Sequence, residues 1–184
     1  MLNLSCEKDK YLYIYNESGN RSYGKRNHGY GAYDLILGLN PKTLLDVGCG
    51  KGKLVEWAKE KGIDATGLDF ASGYGIQADL LDMPFEDNSF DVVTSFDVLE
   101  HLRLEDLERG LIEMSRVAKA YWILSIGYGP SGIKTPHGHI KLHMIDTRDK
   151  SFWTKILQKY GELSYQGNRL DGDRSQYIIC RLEK

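Results

Sequence analysis

One stretch constrains this chain more than any other. In TLLDVGCGKGKL, Thr43 to Leu54, a short apolar run ends in Asp46 and breaks into three alternating glycines, Gly48, Gly50 and Gly52. The run reads as a buried strand. The sequence after it, KLVEWAKEKG, places Leu54, Val55 and Ala58 on one face of a helix that Gly62 ends. Residues without Cβ adopt positive φ and let a ligand approach the main chain. The helix that follows presents free N–H groups at its start. Such a loop is either a tight turn or a nucleotide cradle, and the spacing narrows the choice. A dinucleotide fingerprint, GxGxxG, needs a third glycine where Lys53 stands. A phosphate-binding P-loop needs GK[ST], which is absent here. GxGxG therefore disfavours a nicotinamide oxidoreductase.

The rest of the chain alternates strand and helix patterns. DATGLDF reads as a second strand, GIQADL as a short third, FDVVTSF as a fourth and AYWILSIGYG as a fifth. Leu104, Leu107, Leu111, Met114 and Ala118 recur at helical steps with charges between them. DKSFWTKILQKYG reads as a helix, and ELSYQ and QYIICRL as two final strands joined by a turn-rich segment. Alternation implies an α/β fold, a Rossmann-like, mostly parallel sheet with helices on both faces. The last pair, joined too tightly for a crossover, implies one antiparallel strand at the C-terminal end. Ligands of such sheets bind at the carboxyl ends of the strands, beside the switch point. Residues 1–29 read as an N-terminal arm, and residues 30–184 as a single domain.

Composition excludes some classes. A net charge of −2 over 184 residues gives no general basic excess for nucleic acid. Three scattered cysteines, Cys6, Cys49 and Cys180, form no CxxC pair, so neither a disulfide framework nor a zinc ribbon is expected. No apolar run is long enough to cross a membrane, and the N-terminus lacks the apolar core of a secretion signal. The expectation is a cytoplasmic protein, monomer or homodimer, with no membrane association.

Four motifs in order carry a family resemblance. LLDVGCGKGKL resembles the first motif of class I S-adenosylmethionine-dependent methyltransferases, and ATGLDF resembles their second strand. QADLLDMPFEDNSFDVVTSFDVLEHL is similar to the next stretch in the methyltransferase-11-like branch, and HGHIKLHMIDTRDKSFWTKILQKYG is more loosely similar to the segment after the fifth strand. The resemblance covers roughly Lys42 to Gly161. It implies S-adenosyl-L-methionine as cofactor and S-adenosyl-L-homocysteine as product. It implies that Asp46 fixes the glycine loop near the methionyl amino group, with Gly48, Cys49 and Gly50 forming that loop. It places Asp69 on the ribose hydroxyls with Phe70 beside it, Asp79 on the adenine amino group, Leu80 on the ring, and Phe96 and Asp97 toward the ammonium. One departure stands out. Between Asp69 and Asp79 there is only FASGYGIQA, too short for a complete crossover, so the helix between the second and third strands is shortened or missing, or the third strand is vestigial. Tyr74 in that loop could cover part of the adenine side.

Methyl transfer needs an aligned acceptor, exclusion of water and, for a hydroxyl, a base. VLEHL supplies Glu100 and His101, and the segment after the fifth strand supplies Tyr128, His137, His139 and His143. His139, then His137, then His101 are the candidate bases, since imidazole titrates near neutral pH. Each of them has a plainer reading as a cap or packing residue. The HxHxxxH spacing of His137, His139 and His143 matches no specific zinc pattern, and no metal is expected. Phe152 and Trp153 read as core aromatics or as an acceptor wall, and the resemblance implies that the 1–29 arm is a possible lid, since Tyr23, Tyr30 and Tyr33 stand where relatives carry one. The expected acceptor is a small molecule, with oxygen ahead of nitrogen or carbon. Two alternatives remain: a cofactor-binding relative without methyl transfer, and an enzyme acting on RNA or protein.

Overall fold

Period-two alternation in the strands decides the architecture. In the computed structural model, which describes residues 7–17, 29–135, 138–168 and 175–183, neighbouring apolar residues go to opposite faces of one sheet. Leu44, Val92 and Ile123 pack on one side with Ile36, Val55 and Ala58. Leu45, Val93 and Leu124 pack on the other with Leu111, Met114 and Trp153. A sheet buried on both faces has to be covered by helices twice, as parallel strands require.

The first layer comprises α2 (Tyr33–Leu39), preceded by a 3₁₀ turn at Tyr30–Ala32, and α3 (Lys53–Glu60), with α1 (Glu7–Asn16) lying elsewhere. The second comprises α4 (Leu104–Val117) and α5 (Lys150–Leu157). Between them run β1 (Thr43–Val47), β2 (Asp64–Leu68), β3 (Phe90–Phe96), β4 (Ala118–Gly127), β7 (Gly161–Asn168) and β8 (Ser175–Leu182), in the order β2-β1-β3-β4-β8-β7. The pairs β1–β2, β1–β3 and β3–β4 are parallel, whereas β8 is antiparallel to both β4 and β7. The expected single antiparallel strand is therefore β8. The chain leaves β1 toward β2 and returns on its other side as β3, which puts the switch point at the carboxyl ends of β1 and β3.

Three elements differ from the sequence reading. GIQADL forms no third strand; Leu68 and Ile76 make one isolated bridge, and among the described residues no helix lies between β2 and β3. Nine residues cannot supply a helix and two loops, so the strand it would deliver has no partner register to occupy. The glycine-rich segment after β4 is not an open loop: β5 (Gly132–Thr135) and β6 (Gly138–Lys141) pair as an antiparallel hairpin. The N-terminal arm contains α1, whose Tyr11, Tyr13 and Ile14 form a third apolar cluster with Ala71 and with Ile133 and Leu142 of the hairpin region. Together α1 and the hairpin build a cap over the carboxyl edge of the sheet.

The long β2-to-β3 connection is held by one side chain. Arg116, in the last turn of α4, donates to the carbonyls of Met83 (3.0 Å) and Phe85 (2.6 Å), and to Asp87 (3.0 Å). Both Glu113 carboxylate oxygens accept from the same guanidinium at 2.8 Å, and Glu113 also accepts from Met83 N–H at 2.9 Å. These bonds hold the Glu113 carboxyl below the usual carboxylate range, the Arg116 bond being the largest cause. Hydrogen bonds to charged groups are worth about 1.5–3 kcal/mol. Arg116→Ala should therefore cost about 2–3 kcal/mol, or roughly 4–12 °C in Tm for a domain of this size. Arg116→Lys should recover only part, because an ammonium cannot reproduce the planar fork. A thermal melt showing less than about 1 °C of loss for Arg116→Ala would show that other contacts hold this connection.

Candidate active site

The glycine spacing is explained by backbone geometry. Gly48, Gly50 and Gly52 have φ of 70°, 55° and 74°, a region that residues with Cβ rarely adopt. A Cβ on Gly48 would come within 2.3 Å of Val98, and one on Gly52 within 2.0 Å of the Tyr74 ring. Tyr74 therefore packs against the glycine loop and does not line the cavity described next.

A cavity of about 450 Å³ opens at the switch point. Val47 and Gly48 from the end of β1, Leu68, Asp69 and Phe70 from the end of β2, and Asp97 and Val98 after β3 form its floor and sides. Asp79, Leu80 and Leu81 from the long connection close one end. His101, Leu102, Arg103 and Asp106 stand at the start of α4, and Glu7, Lys8, Tyr11 and Tyr15 of α1 face them. Of the residues proposed from sequence, Gly48, Asp69, Phe70, Asp79, Leu80, Asp97 and His101 line this one cavity. Asp46, Cys49, Gly50 and Phe96 do not; they are buried supports of its wall, with Asp46 accepting from the Thr94 hydroxyl at 2.8 Å. His139 lies exposed on β6, away from the cavity, and His137 lies outside the described residues. Trp153 is fully buried in the core. Tyr33 stacks on Trp57 and Tyr30 is exposed, so the tyrosines over the cavity are Tyr11 and Tyr15, while Tyr23 lies outside the described residues. No motif marks Tyr11 and Tyr15. Tyrosines at alternate positions 11, 13 and 15 imitate a strand, which hides the helix.

Asp69 does two jobs. Its Oδ1 accepts from Ala71 N–H (2.9 Å) and Ser72 N–H (2.8 Å), and its Oδ2 accepts from Gly50 N–H (3.0 Å). Oδ1 is thereby filled, while Oδ2 retains a lone pair toward the cavity wall. Asp97 has φ of 57°, and its Oδ1 accepts from the Ser125 hydroxyl at 2.9 Å. A non-glycine residue held at positive φ beside a cavity is a common mark of a functional position. Asp79 is exposed, and its Oδ1 accepts from Leu81 N–H at 2.9 Å in a local turn.

Electrostatics separate the acids from the bases. Burial pushes the Asp46 carboxyl up to about 7, against the lowering bond from Thr94, with the Asp69 charge adding to the rise. Burial also pushes the Cys49 thiol far up, which makes it inert. Burial lowers the His101 imidazole to about 4, helped by the neighbouring His143, and burial lowers His143 as well. Both rings are neutral at pH 7. His101 Nδ1 lies 2.6 Å from the Tyr11 hydroxyl and 3.1 Å from the Leu142 carbonyl, tying α1 to the loop before α4 and to the segment after the hairpin.

The residues present fit S-adenosylmethionine. Its apolar and ring portions suit Val47, Leu68, Leu80 and Val98, and its cationic and hydroxyl groups suit the carboxylates of Asp69 and Asp97, after β2 and β3, and of Asp79 in the long connection. The cavity is of the size that holds small cofactors.

Comparison with known proteins agrees with this geometry. A family profile described as "Methyltransferase domain" matches residues 45–121. Ajmaline N-methyltransferase of Rauvolfia serpentina is 31% identical over 140 residues, 66% of this chain and 45% of that one. Ubiquinone biosynthesis O-methyltransferase of Psychrobacter cryohalolentis is 38% identical over 85 residues, 36% of this chain and 33% of that one. The chain thus spans less than half the length of these curated relatives. Among solved structures, Burkholderia thailandensis 1,6-didemethyltoxoflavin-N1-methyltransferase with bound 1,6-didemethyltoxoflavin and S-adenosylhomocysteine superimposes with a TM-score of 0.70. It shares 12% identity over 96% of this chain and 87% of that one, a likeness of fold. Residues 45–121 thus match a methyltransferase domain, and the sheet order and the GxGxG turn are those of the Rossmann-like methyltransferase fold.

Proposed function

We propose that the chain transfers a methyl group from S-adenosylmethionine to a small molecule. The observation that carries this reading is the cavity at the β1/β3 switch point, which gathers Gly48, Asp69, Asp79, Leu80 and Asp97 in one place. When bound, the cofactor supplies a methyl group on a positively charged sulfur. The chain's own residues do the rest. Asp69 fixes the glycine loop and offers Oδ2 to a ribose hydroxyl. Asp79 accepts from the adenine amino group, and Leu80 packs against the ring. Asp97 faces the ammonium. Tyr11, Tyr15 and the rest of α1 cover the open side and exclude water, as a lid. An acceptor carrying a hydroxyl is favoured over a nitrogen or carbon acceptor. His101 is the imidazole beside the cavity, whereas His139 reaches it only if the hairpin moves.

The relatives named above act on small molecules by name, which supports a small acceptor. Adding S-adenosylhomocysteine at 100 times its dissociation constant should stabilise the fold by roughly 2.7 kcal/mol. Slow release of S-adenosylhomocysteine from S-adenosylmethionine in the presence of a metabolite extract should then identify the acceptor. Binding without such release would favour a cofactor-binding relative that transfers nothing, and no thermal shift would sink the reading altogether.

The two carboxylates should separate in a paired test. Asp79→Ala removes one exposed acceptor and should weaken cofactor binding about tenfold to a hundredfold, the worth of a charged hydrogen bond, with little change in Tm. Asp69→Ala should lower both affinity and Tm, because three backbone N–H groups lose their acceptor. Calorimetry giving wild-type affinity for Asp79→Ala would remove it from the site.

The covering role of α1 has its own readout. Amide hydrogen exchange over Glu7–Asn16 should slow when S-adenosylhomocysteine saturates the protein, since the helix lines the cavity. Unchanged exchange in α1 alongside slowed exchange in the glycine loop would show that the helix does not close over the cofactor.

A further inference from the structure

Glu100, His101 and His143 come together behind the cavity, and cofactor binding does not account for them. Glu100 and His101 sit in the 3₁₀ turn Leu99–His101 after β3. His143 comes from the segment after β6. One donor atom from each of the three lies within 4.8 Å of the others, and His143 Nε2 is 3.9 Å from Glu100 Oε1. Their rings meet edge to face, with His101 and His143 centroids 5.0 Å apart.

The hydrogen bonds around the cluster orient its donors. His143 Nδ1 is 2.7 Å from the Gly129 carbonyl. A carbonyl only accepts, so Nδ1 carries the proton and Nε2 holds the lone pair that faces Glu100. His101 Nδ1 is 3.1 Å from the Leu142 carbonyl. With the Tyr11 hydroxyl 2.6 Å from the same nitrogen, Nδ1 is occupied, which leaves Nε2 as the ring atom available to an ion. Imidazoles whose second nitrogen donates to a backbone carbonyl are the usual form of metal-ligating histidine. Glu100 is fully buried, and its Oε1 accepts from Gly127 N–H at 2.6 Å, the outer bond that a ligating carboxylate has. Gly127 also leaves the space open: a Cβ there would lie 2.7 Å from Glu100 Oε1 and 3.3 Å from His143 Nε2. Two imidazoles and one carboxylate, from two chain segments converging on one point, match the ligand set of transition-metal sites with open positions.

We propose that Glu100, His101 and His143 form a binding site for a divalent transition-metal ion beside the cofactor cavity. To ligate, donor atoms now within 4.8 Å of one another close to the roughly 3.3 Å that bonds of about 2.0–2.1 Å set in a tetrahedral site. His101 belongs to both the cavity wall and the ion site, so an occupied site would border the acceptor. This set differs from the HxHxxxH spacing in sequence. It uses one of those three histidines, and its other ligands come from VLEHL.

The full chain, stripped with a chelator and titrated with Co²⁺ in the absence of cofactor, tests this. Wild type should bind one equivalent with the visible absorption of nitrogen-ligated Co²⁺, and Zn²⁺ should displace it. His143→Asn keeps an N–H for the Gly129 carbonyl but lacks the ligand lone pair at Nε2. It should weaken binding at least tenfold, and so should Glu100→Gln. His139→Ala, on the exposed face of the hairpin, should bind as wild type does. Circular dichroism confirms that each variant is folded, and His143→Asn alone decides if Glu100→Gln is not. No stoichiometric Co²⁺ binding by wild type would overturn the site, as would His139→Ala weakening it as much as His143→Asn. Titrating the same samples with S-adenosylhomocysteine keeps the two readings apart: cofactor binding without metal binding sinks this inference alone.

Discussion

The structure depends most on the carboxylate of Asp69. Strand β2 ends there, and its side chain accepts three backbone N–H groups, one from the glycine loop and two from the turn that follows. A loop with three residues at positive φ has few conformations of its own to prefer, and it needs an outside partner to hold one of them. The Gly48 and Cys49 N–H groups both point at the Leu68 carbonyl, 2.7 and 3.1 Å away, so the same strand end holds the loop twice. The glycine loop is thus set by the pairing of β1 with β2, and β2 is an edge strand. In a longer sheet a third strand would back it. Here the single Leu68–Ile76 bridge and the Lys51 ammonium, which donates to the Ser72 carbonyl at 2.8 Å, take that place.

The shortened connection has a second consequence. Without a crossover helix, residues 77–89 lie along the surface with no regular structure, yet they must place Asp79 and Leu80 at the cavity. Arg116 solves this from a distance by converting three loop groups into ligands of one guanidinium. The fixed fork of arginine suits the task, because it holds several acceptors in one plane. The cavity is held at one end by a buried carboxylate and at the other by a half-buried guanidinium, and neither is provided by the strands themselves.

How much of this was legible in sequence follows from the range of each interaction. The six strands of the main sheet, α3, α4 and α5, the antiparallel β8 and the lost crossover were legible because apolar periodicity and loop length are local properties. The glycine loop was legible for the same reason: its φ values are demanded within five residues. The cap was not. Tyr11, Tyr13 and Tyr15 alternate like a strand, and α1 exists because Tyr11, Tyr13 and Ile14 find Ala71, Ile133 and Leu142, partners far along the chain. The hairpin β5–β6 was hidden in a glycine-rich stretch whose flanks are too short to show alternation. His139 looked promising because histidines cluster there in sequence, but a two-stranded ribbon sends neighbouring side chains to opposite faces, and His139 falls on the exposed one.

Continued alternation would turn His143 outward with His139, and it turns inward because the ribbon ends first. Past the end of β6 the chain no longer follows the ribbon, and Leu142 N–H returns to the Ser131 carbonyl at 2.9 Å. The Met144 and Ile145 N–H groups then both donate to the Glu100 carbonyl, at 2.9 and 3.0 Å. These bonds fasten the segment carrying His143 to the turn carrying Glu100 and His101 by backbone alone, whatever the side chains do. The three side chains therefore meet as a result of main-chain register, and their approach does not depend on attraction between them. The backbone thus brings two imidazoles and a buried carboxylate to one point, each held by an outer hydrogen bond. Tyr11 adds the link to α1, since its hydroxyl meets His101 at 2.6 Å. Helix α1, the cavity and the cluster behind it consequently share one residue, His101.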